Sequence, residues 1–148
     1  MPVERKIQIL VADDQEMVRS GVKALLTGTE IKVVAEAATS QAAVELALEK
    51  EGDLVLLDVR MPDGDGLTAL SRIKLDKPKL PVLLFSAFDN LASVARAIAL
   101  GARGFLLEGC SRDEFLNAIR VAATGENAWS KGKDRGDWLS SLGVESQT

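Results

Sequence analysis

The sequence contains no histidine, no tyrosine and a single cysteine, Cys110. Without histidine there is no imidazole to act as a general base or a metal ligand, and every zinc site built on His and Cys is excluded. One cysteine cannot close an internal disulfide, which fits a reducing, cytoplasmic setting. Cationic charge is short as well. Lys and Arg number 18 against 22 Asp and Glu, a net charge of −4, so the basic footprint of a nucleic-acid binder is missing. No apolar run approaches the roughly 20 residues that span a bilayer. The N-terminus, "MPVERKIQIL", carries charge before only a short apolar stretch and has no signal-peptide core.

What is present is a chain of 148 residues with 47% hydrophobic residues, enough for one compact domain with a real core. Five short apolar runs read as strands: 7–12, 31–37, 54–59, 81–87 and 104–108. The first, third and fourth are almost continuously apolar, as interior parallel strands covered on both faces must be, whereas the second alternates and suits an edge. Helical spacing links Val18, Val22, Leu25 and Leu26, with Arg19 and Lys23 on the opposite side. It also links Ala43, Leu46, Ala47 and Lys50 after the capping candidates Thr39 and Ser40, and Leu67, Leu70 and Ile73. A fourth helix, capped by Asn90, carries Val94, Ile98 and Leu100 and stops at Gly101. A fifth opens on the capping box Ser111–Glu114, runs through Phe115, Ile119 and Ala122, and ends at Gly125.

Strict β–α alternation implies an α/β fold: a (βα)5, doubly wound, open parallel five-stranded sheet with helices on both faces. The domain is expected to occupy residues 1–125. Residues 126–148 read as a polar tail or linker, with room for one short helix around Trp138 to Leu142.

Functional groups of such sheets gather at the carboxyl ends of the strands. Asp13 and Asp14 follow the first strand, Asp58 the third, Ser86 closes the fourth and Glu108 the fifth. Each has an ordinary explanation alone: a strand-end Asp is commonly a turn or cap residue, and an Asp pair before a helix complements its dipole. Brought together, the carboxylates repel unless one is protonated or a cation sits between them. In the absence of His and Cys ligands, an oxygen-loving ion such as Mg²⁺ fits, and Asp58 becomes a candidate carboxylate nucleophile. The "DGDG" at 63–66 lacks the alternating acids and closing Glu of a calcium loop, so Asp63 and Asp65 read as solvated turn and cap residues.

Residues 6–125, with "VADDQEMVRSGVKALL", "DLVLLDVRMPDGDGL", "PVLLFSAFD" and "GARGFLLEG", resemble the receiver domains of two-component response regulators. The similarity is closest to the branch that carries a C-terminal helix-turn-helix output domain, and the resemblance implies the flavodoxin-like form of the sheet, strand order 2-1-3-4-5. The resemblance implies that Asp58 accepts a phosphoryl group from a sensor histidine kinase. It implies that Asp13, Asp14, Asp58 and the backbone carbonyl of Arg60 hold Mg²⁺. Ser86 would meet the phosphoryl oxygen, and Phe105 would be the aromatic whose ring turns inward on activation. The only activity implied is self-phosphorylation and slow autodephosphorylation, not turnover of an external metabolite. A homodimer and an output domain beyond the C-terminus are left open as partners; nucleic-acid binding by this chain and membrane association are not expected.

The sequence departs from that pattern at Glu108, where the family has a lysine contacting the phosphoryl group. Two unit charges about 4 Å apart interact by about 4 kcal/mol at an effective dielectric near 20, so the exchange disfavours the phosphorylated state. Arg60 and Arg112 are candidates for the missing cation; Arg103, before the fifth strand, lies at the wrong end. The second reading is therefore a receiver-like interaction or dimerisation module that works without phosphate. An aspartate-nucleophile phosphatase is disfavoured, because Arg60 stands where an acidic general acid is needed.

Overall fold

The structure, a computed structural model, describes residues 6–87, 91–126 and 128. Its strands are β1 (Ile7–Ala12), β2 (Ile31–Ala37), β3 (Leu54–Leu57), β4 (Arg60–Met61), β5 (Gly64–Asp65), β6 (Val82–Ser86) and β7 (Gly104–Leu107). Its helices are α1 (Glu16–Leu25), α2 (Ser40–Glu49), α3 (Gly66–Asp76), α4 (Leu91–Ala99) and α5 (Arg112–Ala123). The main sheet runs β2-β1-β3-β6-β7, every pairing parallel. This is the expected 2-1-3-4-5 order. The antiparallel ribbon β4–β5 was not foreseen: two residues per strand are too few for any alternation to be read.

Successive side chains of a strand face opposite sides, and each interior strand divides its apolar residues accordingly. Leu10, Ala12, Val55, Leu57 and Leu84 join a core closed by α2, α3 and α4. Ile9, Val11, Leu54, Leu56, Leu83 and Phe85 join a second core closed by α1 and α5. A sheet covered on both faces needs apolar residues at nearly every position, which explains the nearly unbroken runs in β1, β3 and β6. At the edge, β2 keeps its alternation, with Lys32 exposed and Ile31 and Ala37 buried.

The helix ends follow from the sequence. Thr39 Oγ accepts the Ala42 N–H at 3.0 Å, and Ser111 Oγ accepts that of Glu114 at 3.1 Å. Gly101 and Gly125 take φ of +89° and +92°, closing α4 and α5 in the left-handed conformation that glycine adopts without penalty. Asn90 and the 138–142 helix lie outside the described residues. Beyond α5 the chain returns to the sheet: the Ala128 N–H donates to Arg103 O at 2.6 Å, and Ala128 is buried in the α1/α5 core.

One glycine positions the loop after β3. A Cβ on Gly66 would collide with the carbonyl oxygen of Asp58 and lie 2.9 Å from its carbonyl carbon. The Gly66 N–H meanwhile donates to Val59 O at 2.6 Å, so backbone packs on backbone here. Gly66→Ala is expected to cost about 1–3 kcal/mol through this overpacking, read as a lower urea midpoint. An unchanged midpoint would show that the loop can give way.

Candidate carboxylate site

The first residue beyond β1, β3 and β7 is still held by the neighbouring strand. The Asp13 N–H donates to Ala37 O at 3.0 Å, Asp58 N–H to Ala12 O at 2.9 Å and Glu108 N–H to Ser86 O at 2.8 Å. The sheet ladder thus extends one residue past the apolar runs and fixes three acidic residues at one edge. Asp13, Asp14 and Asp58 each bring a carboxylate oxygen within 4.8 Å of the others. Asp13 is 3% exposed, Asp58 is half-buried and Asp14 is exposed.

Local hydrogen bonds orient these groups. Asp13 Oδ1 accepts the Gln15 N–H at 2.9 Å, and Asp58 Oδ1 accepts the Arg60 N–H at 3.3 Å. Arg19 was expected only to face away from the core. It donates through Nη1 to Asp13 O at 2.6 Å and through Nε to Glu36 Oε1 at 3.0 Å, bracing the acidic turn against β2. Lys23 Nζ shares Glu36 at 2.9 Å, and the two cations together hold that carboxyl below its ordinary range. Helical periodicity put Arg19 on the polar face; nothing in it signals a backbone carbonyl as the partner.

Electrostatic conflict is built into this edge. Burial pushes the Asp58 carboxyl up to about 7, and the charges of Asp13, Glu108 and Asp14 add to the rise against the opposing Arg60 N–H. Asp13 is raised as well, chiefly by burial and also by Asp14, with the Gln15 N–H, an Asp58 hydrogen bond and Arg19 opposing. Burial and the charge of Asp13 raise Glu108. Three close carboxylates with no nitrogen or sulfur donor among them suit a hard divalent cation such as Mg²⁺, whose charge would offset the repulsion.

The remaining expected residues do not all fall at this edge. Ser86, at the end of β6, is 2% exposed, and its pair across the β6–β7 ladder is Leu107, the residue before Glu108. Phe105 is fully buried, in the same core as Val94 and Ala97 of α4. Arg112 is drawn away: Nε donates to Leu25 O at 2.9 Å and Nη2 to Thr27 O at 3.2 Å, at the end of α1. Arg103 precedes β7 at the opposite end of the strand, as expected. Arg60 is exposed on the loop, adjacent to the Asp58 carboxylate through its own N–H. Asp63, expected to be a solvated turn residue, is exposed but engaged: it accepts the Ser40 and Gln41 amides at 2.8 and 3.1 Å.

Comparison with known proteins gives the same answer along the whole domain. Residues 9–120 match the family model described as the response regulator receiver domain. The response regulator protein VraR of Staphylococcus aureus is 36% identical over 124 residues, covering 83% of this chain and 59% of that protein. The chain therefore spans well under two thirds of that relative's length. Among solved structures, the receiver domain of the putative response regulator NarL from Mycobacterium tuberculosis is 37% identical. It superposes with a TM-score of 0.76, covering 82% of this chain and 99% of that one. A LuxR-family two-component response regulator from an Aurantimonas species superposes with a TM-score of 0.84 at 27% identity, over 95% of this chain and 99% of that one.

The raised Asp58 carboxyl has a defined effect on stability. Its folded value of about 7 exceeds the ordinary 3.8, so its contribution is fully present below about pH 4 and is lost as pH rises through 7. In metal-free buffer, Asp58→Asn should therefore be more stable than wild type at pH 8, by at least a few degrees in Tm. The difference should shrink toward pH 5. Parallel melting curves across that range would refute the assigned strain.

Proposed function

The chain belongs to the response regulator receiver domain family, and from that premise we propose that it accepts a phosphoryl group on Asp58 from a sensor histidine kinase. The observation that carries this reading is the convergence of Asp13, Asp14 and Asp58 at the carboxyl edge of the sheet, with Asp58 after its central strand. In the transfer, the phosphorus–nitrogen bond of a partner's phosphohistidine breaks and a phosphorus–oxygen bond to Asp58 forms. A donor carried by the partner explains how a chain without histidine takes part.

Asp58 must be ionised to attack, and with its carboxyl raised to about 7 the cluster alone leaves it only about half ionised at neutral pH. A Mg²⁺ ion held by Asp13, Asp14, Asp58 and the Arg60 backbone carbonyl would supply the missing positive charge for both carboxylates and phosphoryl oxygens. Asp13, fixed by Gln15 and braced by Arg19, is the rigid member of that set. Ser86 lies at the strand end beside the cluster, suited to donate its hydroxyl to a phosphoryl oxygen. Phe105, packed in the α4 core, would carry the response to the surface. The chain's own chemistry is then self-phosphorylation and autodephosphorylation. A sensor kinase and an output domain beyond the C-terminus are the partners this reading implies, and a homodimer is compatible with it.

Glu108 favours a second reading, a receiver-like interaction module that does not switch by phosphate. Its partly buried carboxylate adds to the negative potential at Asp58, where a phosphoryl group needs a cation. The two readings separate on a phosphate-retarding gel after incubation with a small phosphodonor and Mg²⁺. Under the first, wild type shifts, Asp58→Asn does not, and Glu108→Lys shifts to a greater extent. No shift in wild type combined with a shift in Glu108→Lys would overturn the switch and establish a site disabled by Glu108.

A further inference from the structure

The loop that follows Asp58 is a very short ribbon. Only Arg60 pairs with Asp65 and Met61 with Gly64, and an isolated ribbon of that length has little stability of its own. Its base is secured where the Gly66 N–H meets Val59 O, and one side by the burial of Met61, which is 7% exposed. Its tip carries Asp63, whose two carboxylate oxygens accept the Ser40 N–H at 2.8 Å and the Gln41 N–H at 3.1 Å.

Those amides belong to the first turn of α2, whose three leading helical N–H groups have no acceptor within the helix and find partners outside its ladder. Ser40 and Gln41 give theirs to Asp63 and Ala42 to Thr39 Oγ at 3.0 Å, and the ladder proper begins with the Ala43 N–H on Thr39 O at 3.0 Å. The cap is split between a residue of the helix's own chain segment and one more than twenty positions away in sequence. The two amides hold the Asp63 carboxyl below its ordinary range, so it is ionised at neutral pH and attracted to the positive end of α2.

We propose that Asp63 is a positioning residue for the cation site: by tying the ribbon tip to the N-terminus of α2, it holds the Arg60 segment in place beside Asp58. The Arg60 N–H contact to Asp58 Oδ1, at 3.3 Å, lies three residues from this tether. Loss of the tether leaves a two-pair ribbon free to shift, and with it the backbone of Arg60. The inference rests on the reading that Asp58 and its neighbours hold a divalent cation.

Titration calorimetry with MgCl₂ on wild type, Asp63→Ala and Thr39→Ala tests it, with far-UV circular dichroism confirming that each is folded. Both substitutions remove part of the same helix cap and should lower Tm, but only Asp63 touches the ribbon. Mg²⁺ affinity should fall about tenfold in Asp63→Ala, the scale seen when a residue supporting metal ligands is removed, and stay within about twofold in Thr39→Ala. Amide exchange at Gly66 should quicken in the first variant only. If Asp63→Ala does not fold, Asp63→Asn, which retains one acceptor oxygen, should show a smaller loss in the same direction. Equal affinity in wild type and the Asp63 variant, or an equal loss in Thr39→Ala, would overturn the positioning role while leaving the cation site intact. No Mg²⁺ binding by wild type would overturn the cation site and this inference together.

Discussion

Repulsion between carboxylates that the backbone will not let separate is the constraint on which this site depends. The sheet ladder holds Asp13 against Ala37 and Asp58 against Ala12, one residue beyond the apolar strands. Those main-chain bonds are part of the same parallel register that builds the core, so relieving the repulsion by moving backbone would disturb the whole edge. Burial deepens the conflict, because the charged form of Asp58 loses water without gaining a neighbouring cation, and Arg19 offsets the burial of Asp13 only in part. Two outcomes remain for the resting cluster: a proton retained near neutral pH, or a divalent ion bound.

The surrounding residues fix the cluster from outside. Gln15 and Arg60 contribute amides to it, Arg19 ties the Asp13 carbonyl to β2 through Glu36, and Gly66 brings α3 against the Asp58 backbone. Asp63 fastens the ribbon to α2 on the other side. Such rigidity suits phosphoryl transfer, which needs placement and charge neutralisation more than covalent machinery. It also gives Glu108 its importance, since a fixed negative group at this edge cannot be averaged away by a mobile site.

Much of this was legible in the sequence, and for identifiable reasons. Nearly unbroken apolar runs mark strands buried on both faces, so β1, β3 and β6 and the strand-end positions of Asp13, Asp58, Ser86 and Glu108 could be placed, while the order of the sheet came with the family resemblance. Thr39, Ser111, Gly101 and Gly125 announced helix ends through their own chemistry. The misses are contacts without periodicity. A ribbon of two residues per strand leaves no pattern, and an Asp between Pro62 and Gly64 reads as a turn whether or not it caps a distant helix. Arg19 sits where a solvated helix face would put it, and Arg112, a candidate counter-charge, is instead held at the carbonyls ending α1. In each case the partner is a main-chain group brought near by the fold, which a single sequence does not display.

The central claim, that this edge retains a proton until a cation replaces it, is most directly tested by counting protons released on Mg²⁺ binding. Calorimetric titrations in buffers of different ionisation enthalpy give that number. With the Asp58 carboxyl at about 7, the account predicts release of about half a proton per ion at pH 7, falling toward zero by about pH 9. Binding with no proton release at pH 7 would contradict it.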